Sequence, residues 1–597
     1  MSNLLNGNPT ETPPETLSQP AGPTSLTGLV EGFTYNSSEF SVAKMKPTGQ
    51  MLSVTIVGSL LGVAVGQTIT VHGQWQKHNR FGDQFRVTSF ATEVPKTRDG
   101  LIAYLASDLI PGLGKSKATI LVDYFKEKTI QILDLEPRRI TEVPGIGKKT
   151  ARKIVEGWQT HRNMADLQMF LQDHGLGSGL AARIHNAYED KALTILQQNP
   201  YMITDVRGFG FLTADKVARS LGLPDDDPFR IRSAIAHALD QAANEDGHLY
   251  LPRTKLVEAV EKLLNRWRDD VPNQNESIRV DAEAVEIQIA ALQQAEGVMI
   301  DMLSTITEGG IEVEAMVALP WAYRTEIGIA QKVKRLLGNP ISKIRQAFKD
   351  TDWDKALTWV QSQTGIRLAQ SQAQAVHMTM NEQVAILTGG PGTGKTTTIR
   401  SILTLLGQSE ARIQLAAPTG KAAKRLSEST GVEAKTIHRL LGVEGPGQFS
   451  KDENNPLKAD MIIVDEMSMV DASLFYSLIK AIKPDTHLLL VGDVDQLPSV
   501  GPGDILNDLI RSGLIPTVQL DVIFRQGEES GIVPNAHRVN GGDLPIFSKV
   551  GEGSNDFFWF GIEDDHRAAE QIVDLVAEKI PNRFGISSRD IQVLSPM

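Results

Sequence analysis

Residues 385–400, AILTGGPGTGKTTTIR, place glycine, lysine and threonine at the spacing of a phosphate-binding loop. An apolar stretch that reads as a strand precedes the loop, and a helix-forming stretch follows it. Glycines let backbone N–H groups approach phosphates, while Lys395 can reach the outer phosphates and Thr396 can ligate Mg²⁺. The predicted nucleotide-binding residues are Gly389, Gly390, Pro391, Gly392, Thr393, Gly394, Lys395, Thr396 and Thr397.

Two adjacent acids end a second short apolar stretch, MIIVDE. Burying a carboxylate directly after four apolar residues is costly unless the carboxylate holds a cation. Asp465 is therefore the expected Mg²⁺ partner of Thr396, and Glu466 the expected base or water-positioning group. A further stretch, HLLLVGD, leads into GDVDQLPSVGPG, where Gln496 could sense the terminal phosphate and Asp493 could brace the site. These groups together predict hydrolysis of a nucleoside triphosphate.

Four short apolar runs position these groups: VAILTG, RIQLAAP, MIIVDE and HLLLVGD. Their near-continuous hydrophobicity is typical of strands that are buried on both faces. Helical stretches separate the runs, which predicts a parallel sheet with helices on both sides. Ligands of such a sheet bind at the carboxyl ends of its strands, where the polar groups above are found.

The chain upstream of this sheet changes character twice. Residues 25–97 alternate apolar and polar positions between glycine-containing turns, which predicts a small β-barrel or a sandwich. Residues 98–222 contain four related pieces, IPGLGKSKATILVDYF, VPGIGKKTARKIVEGW, GLGSGLAARIHNAY and VRGFGFLTADKVARSLG. Residues 223–350 are mostly helical by pattern, which predicts a helical connector domain that could carry a wing.

The four related pieces form an internal repeat whose glycines lie about 30 residues apart, at Gly112, Gly145, Gly175 and Gly208. Each copy reads as a helix, a tight glycine turn and a second helix, whose free N–H groups can hold a phosphate oxygen. Alternatively, glycine only closes a helical hairpin. Four tandem copies, two of them with lysines, favour sequence-independent contact with a DNA backbone. The expected contacts are Lys115, Lys148 and Lys149.

Composition excludes several classes of protein. At 597 residues the chain predicts several domains, and its lack of cysteine excludes disulfides, thiolate zinc sites and a catalytic thiol. A net charge of −12 argues weakly against a protein that coats nucleic acid through bulk charge. No apolar run approaches the roughly 20 residues that span a bilayer, and residues 1–24 predict a disordered tail rather than a signal. A cytoplasmic protein without membrane contact fits best.

A series of motifs resembles the superfamily 1 DNA helicases, specifically the long RecD-like form. In chain order they are GGPGTGKTT, APTGKAAKRL, TIHRLL, VDEMSMVD, GDVDQLPSVGPGDIL and VIFRQ. GQWQKHNRFGDQF, the glycine repeats and GFGFLTADKVA extend the resemblance to the front half. It implies a multidomain α/β fold: an OB-like β-barrel, helix-hairpin-helix repeats, a connector, a RecA-like domain over 351–516 and the start of a second one over 517–597.

The resemblance also implies roles at matching positions. Gln372 matches a glutamine that reads the adenine edge, so ATP is the expected nucleotide. Arg525 matches an arginine that stabilises charge on the terminal phosphate in the transition state. Thr419, Lys421 and His438 match positions that contact single-stranded DNA. Residues 444–456 lie where relatives carry a hairpin that parts the duplex, although the sequence alone fits a loop equally well.

The implied activity is ATP-dependent DNA unwinding with 5′ to 3′ travel on single-stranded DNA, at duplex junctions, in repair or recombination. The chain departs from the family where it stops at IQVLSPM, since relatives place this strand early in the second RecA-like domain, which supplies another arginine finger. A separately supplied C-terminal motor half is one expectation that follows, and oligomeric state is left open. The alternatives are a helicase fragment that does not unwind by itself or a nucleotide-gated DNA-binding protein. A phosphotransferase or AAA-type switch is disfavoured by GDVDQLP together with APTGKAA.

Overall fold

The computed structural model describes most of the chain and divides it into two compact units. The described residues are 24–36, 40–58, 60, 63, 65–78, 82–92, 97–106, 110, 113–174, 176, 180–206, 208–269, 279–307, 310–338, 342–445, 447–522, 531–547 and 556–595. One unit comprises Met1–Leu239 and Pro252–Val317, and the other comprises Asp240–Leu251 and Ala318–Met597. The predicted disordered tail, 1–24, lies outside the described residues except for its last position.

The first unit begins with a closed five-stranded barrel, in agreement with the barrel alternative. Its strands are β1 (Thr24–Asn36), β2 (Ser41–Pro47), β3 (Val54–Gly58), β4 (Thr68–His78) and β5 (Gly82–Thr92). The order around the barrel is β1-β2-β3-β5-β4, with β3 and β5 parallel and the other pairs antiparallel. Alternating side chains such as Val30, Ile56 and Phe85 fill its core. Gly73 is required at a register shift, because a Cβ there would lie 1.9 Å from the Arg86 carbonyl oxygen.

A series of helices follows the barrel. They are α1 (Arg98–Leu105), α2 (Lys115–Phe125), α3 (Thr129–Leu135), α4 (Lys148–Asp173), α5 (Ala181–Tyr188), α6 (Ala192–Gln198) and α7 (Phe211–Ser220). Helices α4 and α7 each follow a Gly-x-Gly turn whose first glycine has a positive φ, 86° at Gly145 and 92° at Gly208. This conformation favours glycine and explains the glycine of these two copies. Gly112 and Gly175 lie outside the described residues.

The rest of the first unit is helical with a small sheet, as the wing alternative allowed. The elements are α8 (Pro228–Asn244), β6 (Leu251–Pro252), α9 (Arg253–Asp269), α10 (Ala282–Gln294), β7 (Met299–Thr307) and β8 (Gly310–Ala318), with the sheet order β6-β8-β7. A buried ion pair joins α8 to α7, with Arg230 Nε 2.7 Å from Asp215 Oδ1. Tyr201 donates a 2.8 Å hydrogen bond to the same carboxylate, whose pKa lies below its ordinary value because Arg230 offsets the cost of burial.

The second unit is built on a six-stranded parallel sheet of order β11-β10-β14-β15-β9-β16. Its strands are β9 (Val384–Gly389), β10 (Ile413–Ala417), β11 (Ala434–Thr436), β14 (Met461–Val464), β15 (His487–Gly492) and β16 (Thr517–Leu520), and a hairpin of β12 (Val443–Gly445) and β13 (Gln448–Phe449) stands apart from it. All residues of β9, β14 and β15 are buried, and apolar clusters cover both faces, as near-continuous hydrophobic runs predict.

Helices flank this sheet on both sides. They are α11 (Pro320–Leu337), α12 (Lys343–Phe348), α13 (Trp353–Thr364), α14 (Gln370–Asn381), α15 (Lys395–Leu406), α16 (Gly420–Thr430), α17 (Ile437–Leu441), α18 (Ala472–Lys480) and α19 (Ile505–Arg511). Beyond β16 come α20 (Ile532–Asn540), α21 (Asp565–Asp574) and α22 (Ile580–Phe584). Within the described part of the chain, no helix is both long and apolar enough to cross a membrane.

Packing places two of the predicted domain boundaries differently. Ile329 and Val333 of α11 belong to the core beneath the sheet, so the stretch after Ala318 is part of the second unit rather than of the connector that was expected to end at residue 350. Strand β16 pairs in parallel with β9, so 517–520 completes the first sheet rather than starting a second domain. The sequence pattern did not predict these two boundaries, because the residues of a helix or strand do not indicate which sheet the helix packs against or the strand pairs with.

Candidate nucleotide and DNA site

The phosphate-binding loop joins the carboxyl end of β9 to the first turn of α15. Gly392 and Gly394 have φ values of 81° and 88°, in the left-handed region that favours glycine. Thr393 is buried and its hydroxyl donates a 2.9 Å hydrogen bond to the Gly390 carbonyl, which fixes the curve of the loop. The loop is therefore shaped by its own residues, with backbone N–H groups at the start of α15, where phosphate oxygens bind in loops of this type.

Lys395 is held over this loop by two hydrogen bonds and an ion pair. Its Nζ donates to the carbonyls of Gly389 and Gly390, at 2.5 and 3.2 Å, and lies 3.9 Å from Asp493 Oδ2. Asp493 is 1% exposed and also accepts a 3.3 Å hydrogen bond from Gln496 Nε2. The ammonium, the carboxylate and the amide therefore form one connected group, and the bracing role of Asp493 stays a prediction.

Asp465 and Glu466 follow β14 directly, on the same edge of the sheet. The Glu466 N–H donates a 3.0 Å hydrogen bond to Asp465 Oδ1. Burial, followed by repulsion from Glu466, raises the pKa of Asp465 to about 6. The charges of Lys395 and Arg425 act in the opposite direction. A cation in front of Asp465 would offset the free-energy cost of burying this carboxylate beside Glu466, so the carboxylate suits the metal-binding role expected of it.

Glu466 adopts an unusual backbone conformation. Its φ and ψ are 56° and 45°, and it is one of only four non-glycine residues with a positive φ in the described part of the chain. A left-handed non-glycine residue costs about 1–2 kcal/mol and tends to occur where function needs the geometry. The sequence gives no signal of this strain, because glutamate is an ordinary residue at the end of a strand.

Gln372 lies beside the loop, and each end of its amide already makes one hydrogen bond. It is 2% exposed, its Oε1 accepts a hydrogen bond from the Ala369 N–H at 3.0 Å, and its Nε2 lies 3.4 Å from the Thr393 carbonyl. The glutamine thus caps the start of α14 and braces the phosphate loop. Adenine recognition by Gln372 remains a prediction.

The residues expected to contact single-stranded DNA gather at the other end of the same sheet edge. Thr419 and Lys421 follow β10, and His438 follows its parallel neighbour β11. Lys421 and His438 are exposed, whereas the Thr419 hydroxyl accepts the Ala422 N–H at 3.2 Å and caps α16. The sheet order thus separates these groups on β10 and β11 from the phosphate loop on β9, with β14 and β15 between them.

The segment 444–456 contains a short hairpin rather than only a loop. Strands β12 and β13 pair antiparallel, and Ser450 N–H closes the base of the hairpin on the Gly442 carbonyl at 2.8 Å. The ring centroids of Phe449 and His438 lie 5.8 Å apart, so the hairpin stands beside the proposed DNA side chains. The segment thus forms the hairpin that the family resemblance implies rather than only a loop. That this hairpin parts a duplex remains a prediction.

Lys115, Lys148 and Lys149 occupy the first turns of α2 and α4 in the first unit, and all three are exposed. The residues before these helices, Gly114 and Gly147, provide no side-chain cap, so the first N–H groups face outward without one. Exposed lysines beside such N–H groups can hold phosphate oxygens.

Arg525 lies outside the described residues, so its role stays a prediction. The described helix α20, which begins seven residues later, contributes a group that sequence reasoning missed. His537 lies against Gly390, because a Cβ built on that glycine would be 3.0 Å from His537 Cε1. The only sequence signal was a histidine in a helical stretch after the FRQ motif, and nothing in the spacing pointed it towards the loop.

Four family models match the chain, in the order of the observed folds. An OB-fold domain of the ATP-dependent DNA helicase YrrC matches residues 23–95, and a SAM-like helix-hairpin-helix tandem matches 104–160. The helix-hairpin-helix domain of the ATP-dependent RecD2 DNA helicase matches 160–250, and an AAA domain matches 372–502. Both halves of the predicted family resemblance are therefore confirmed.

Individual relatives agree. The ATP-dependent RecD2 DNA helicase of Deinococcus radiodurans is 31% identical over 535 residues, covering 88% of this chain and 71% of the relative. The RecBCD enzyme subunit RecD of Mycolicibacterium smegmatis is 39% identical over 211 residues, which are 31% of this chain and 38% of that one. A Pif1 helicase structure from Candida albicans is 23% identical over 30% of this chain and 45% of its own, with a TM-score of 0.25, which is too low to support a shared fold. With a relative matched over most of both lengths and with the family's own front-half domains, the chain belongs to the family of ATP-dependent RecD2 DNA helicases.

Proposed function

We propose that this chain hydrolyses ATP to translocate on single-stranded DNA and to unwind duplex DNA at junctions. One observation carries the proposal: one sheet edge holds the connected group of Lys395, Asp493 and Gln496 together with the exposed Lys421 and His438. A binding site for a triphosphate and a track for a polyanion on one rigid sheet can be coupled mechanically. The helix-hairpin-helix lysines would add sequence-independent backbone contacts.

The geometry supports a role for each residue of the site. Lys395 binds the outer phosphates, and Glu466 orients the attacking water as a base. Gln496 senses the terminal phosphate and passes its state to Asp493, with which it shares a hydrogen bond. Arg525 is proposed to stabilise transition-state charge, as its motif position implies.

Magnesium is the proposed metal, held by the side chains of Thr396 and Asp465. A hydroxyl and a carboxylate are hard oxygen donors of the kind Mg²⁺ prefers, and Mg²⁺ commonly takes only one or two protein ligands besides substrate phosphates. The Thr396 hydroxyl makes no hydrogen bond to any described residue, and the pKa of Asp465 is raised in a way that a cation would reverse. When bound, the metal neutralises charge that develops on the phosphates.

Polarity, pathway, location and partners are further parts of the proposal. We propose 5′ to 3′ movement, a role in DNA repair or recombination, and action in the cytoplasm. The described residues of α21 and α22 include none that is buried, while apolar side chains such as Trp559 are 68% exposed. This surface supports the proposal that a further C-terminal motor half, continuous or separately supplied, covers it.

Strand displacement tests this function. Duplexes with a 5′ or a 3′ single-stranded tail would be incubated with ATP and the wild-type chain, Lys421→Ala or the matched surface control Lys349→Ala. The proposal predicts displacement only from the 5′-tailed substrate, a severe loss in Lys421→Ala and wild-type behaviour of Lys349→Ala. Displacement from the 3′-tailed substrate alone would overturn the polarity, and DNA binding without displacement of either would favour a nucleotide-gated DNA-binding protein or an incomplete motor.

A further inference from the structure

A cleft of about 520 Å³ opens beside the phosphate loop. One wall is formed by the loop and the end of β15, with Gly390, Pro391, Asp493 and Gln496. The other wall is α20, from Ile532 to Asn540. The cleft therefore brings a helix from beyond β16 against the groups that should surround the outer phosphates.

His537 is the residue of α20 that reaches the loop. A Cβ on Gly390 would meet His537 Cε1 at 3.0 Å and Nε2 at 3.5 Å, so the edge of the imidazole lies directly over the glycine. His537 is exposed, and neither of its ring nitrogens has a hydrogen-bond partner among the described residues. Its neighbour Arg538 is turned away, because its Nε donates to the Leu544 carbonyl at 2.9 Å. The imidazole of His537 is thus a free hydrogen-bond donor that α20 presents to the loop.

The segment that follows α20 holds the helix in place. The Asn535 side chain is buried and exchanges two hydrogen bonds of 2.7 Å with the backbone of Ile546. Gly531 N–H donates to Asp556 Oδ1 at 2.7 Å, and the rings of Phe547 and Phe557 stack. His537 is consequently presented by a helix that is bonded to the segment after it through Asn535 and Gly531.

The position of Lys395 indicates which phosphate His537 would meet. Its Nζ bonds to the carbonyls of Gly389 and Gly390, so the outer phosphates that this lysine reaches lie at the same end of the loop as the imidazole. The carboxylates of Asp493 and Asp495 line the cleft and cannot themselves hold a phosphate. A hydrogen-bond donor from α20 would complement Lys395 on the far side of the outer phosphates.

We propose that His537 donates a hydrogen bond to the terminal phosphate of the bound triphosphate and thereby links α20 to the nucleotide state. This assignment rests on the proposed function of the phosphate loop. A diphosphate lacks the group that His537 would contact, so the residue distinguishes ATP from ADP.

Equilibrium binding of two fluorescent nucleotides tests the assignment without turnover: ADP and an ATP analogue with an imido bridge between the β and γ phosphorus atoms. Wild type would be compared with His537→Ala, with His537→Gln, which restores a neutral donor, and with His566→Ala, which removes an exposed histidine from α21. His537→Ala should weaken the analogue about ten-fold and ADP by less than about two-fold, as expected for loss of one hydrogen bond to a charged group. Glutamine should recover part of the loss, and His566→Ala should match wild type.

The outcomes separate the two proposals. Retained ADP binding in His537→Ala shows that the loop is folded, so a selective loss of the analogue supports the contact. Equal weakening of both nucleotides, or no change in either, would overturn the assignment alone. Binding of neither nucleotide by the wild-type chain would overturn the proposed function and the assignment with it.

Discussion

Replacing Glu466 separates its chemical role from the strain in its backbone. At φ 56° and ψ 45°, a residue with a Cβ costs about 1–2 kcal/mol relative to ordinary conformations. Glu466→Ala removes the carboxylate but keeps this cost, whereas Glu466→Gly removes both. Because glycine also loses more freedom on folding, by about 0.4–1 kcal/mol, the glycine variant should exceed the alanine variant in stability by about 0.5–1 kcal/mol.

Both variants should lose ATP hydrolysis by about 10²–10⁴-fold, the usual contribution of a general base, while they still bind nucleotide. The assay pairs urea unfolding of the two variants, measured in parallel without nucleotide, with steady-state phosphate release. An alanine variant as stable as the glycine variant would refute the strain argument. Hydrolysis at the wild-type rate in either variant would refute the role of the carboxylate.

Three further predictions concern other parts of the chain. Burial lowers the pKa of His487 to about 4, below its ordinary 6.5, so the folded chain should lose about 3 kcal/mol of stability as the pH falls from 6.5 to 4; urea unfolding at pH 7 and 5 should show about 2 kcal/mol of this loss in wild type and not in His487→Gln. Charge reversal at Lys148 and Lys149 should weaken DNA binding and reduce its salt dependence, as measured by titrations at several salt concentrations. Gln372→Ala should lower thermal stability and weaken nucleotide binding, since the side chain braces the phosphate loop.

A specific result would contradict each of these predictions. Asp465 titrates in the same pH range with the opposite sign, because its raised pKa favours the folded state at low pH, so only the difference between wild type and His487→Gln is diagnostic. An identical pH dependence in both would contradict the argument for His487. Charge reversal at Lys148 and Lys149 that leaves the salt dependence unchanged would remove these lysines from the DNA interface. A Gln372→Ala variant that discriminates ATP from GTP less well, with unchanged stability, would favour the adenine role over bracing.

The six-stranded parallel sheet of the second unit was predicted well, because the sequence signal for each of its strands lies within that strand. Each run, such as MIIVDE, carries both the hydrophobicity of a buried strand and the polar group at its carboxyl end. Parallel strands must bring those ends together, which is why Lys395, Asp465 and Gln496 could be assigned to one site. The glycine repeats could also be recognised in the sequence, because a positive φ, as at Gly145 and Gly208, favours glycine.

Features that depend on tertiary packing could not be predicted. The packing of α11 beneath the sheet and the pairing of β16 within it depend on residues that are distant along the chain. The strain at Glu466 and the double engagement of Gln372 depend on neighbours whose placement no pattern encodes. His537 likewise acquires a role only because α20 folds back against the phosphate loop.

The central claim is that the phosphate loop hydrolyses ATP in response to DNA on the same sheet edge. The most direct measurement is steady-state phosphate release by the chain with and without single-stranded DNA, beside Lys395→Ala. The account predicts strong stimulation by DNA in wild type and none in Lys395→Ala, because the variant lacks the ammonium that binds the outer phosphates. Hydrolysis that is unaffected by DNA, or that survives in Lys395→Ala, would contradict it.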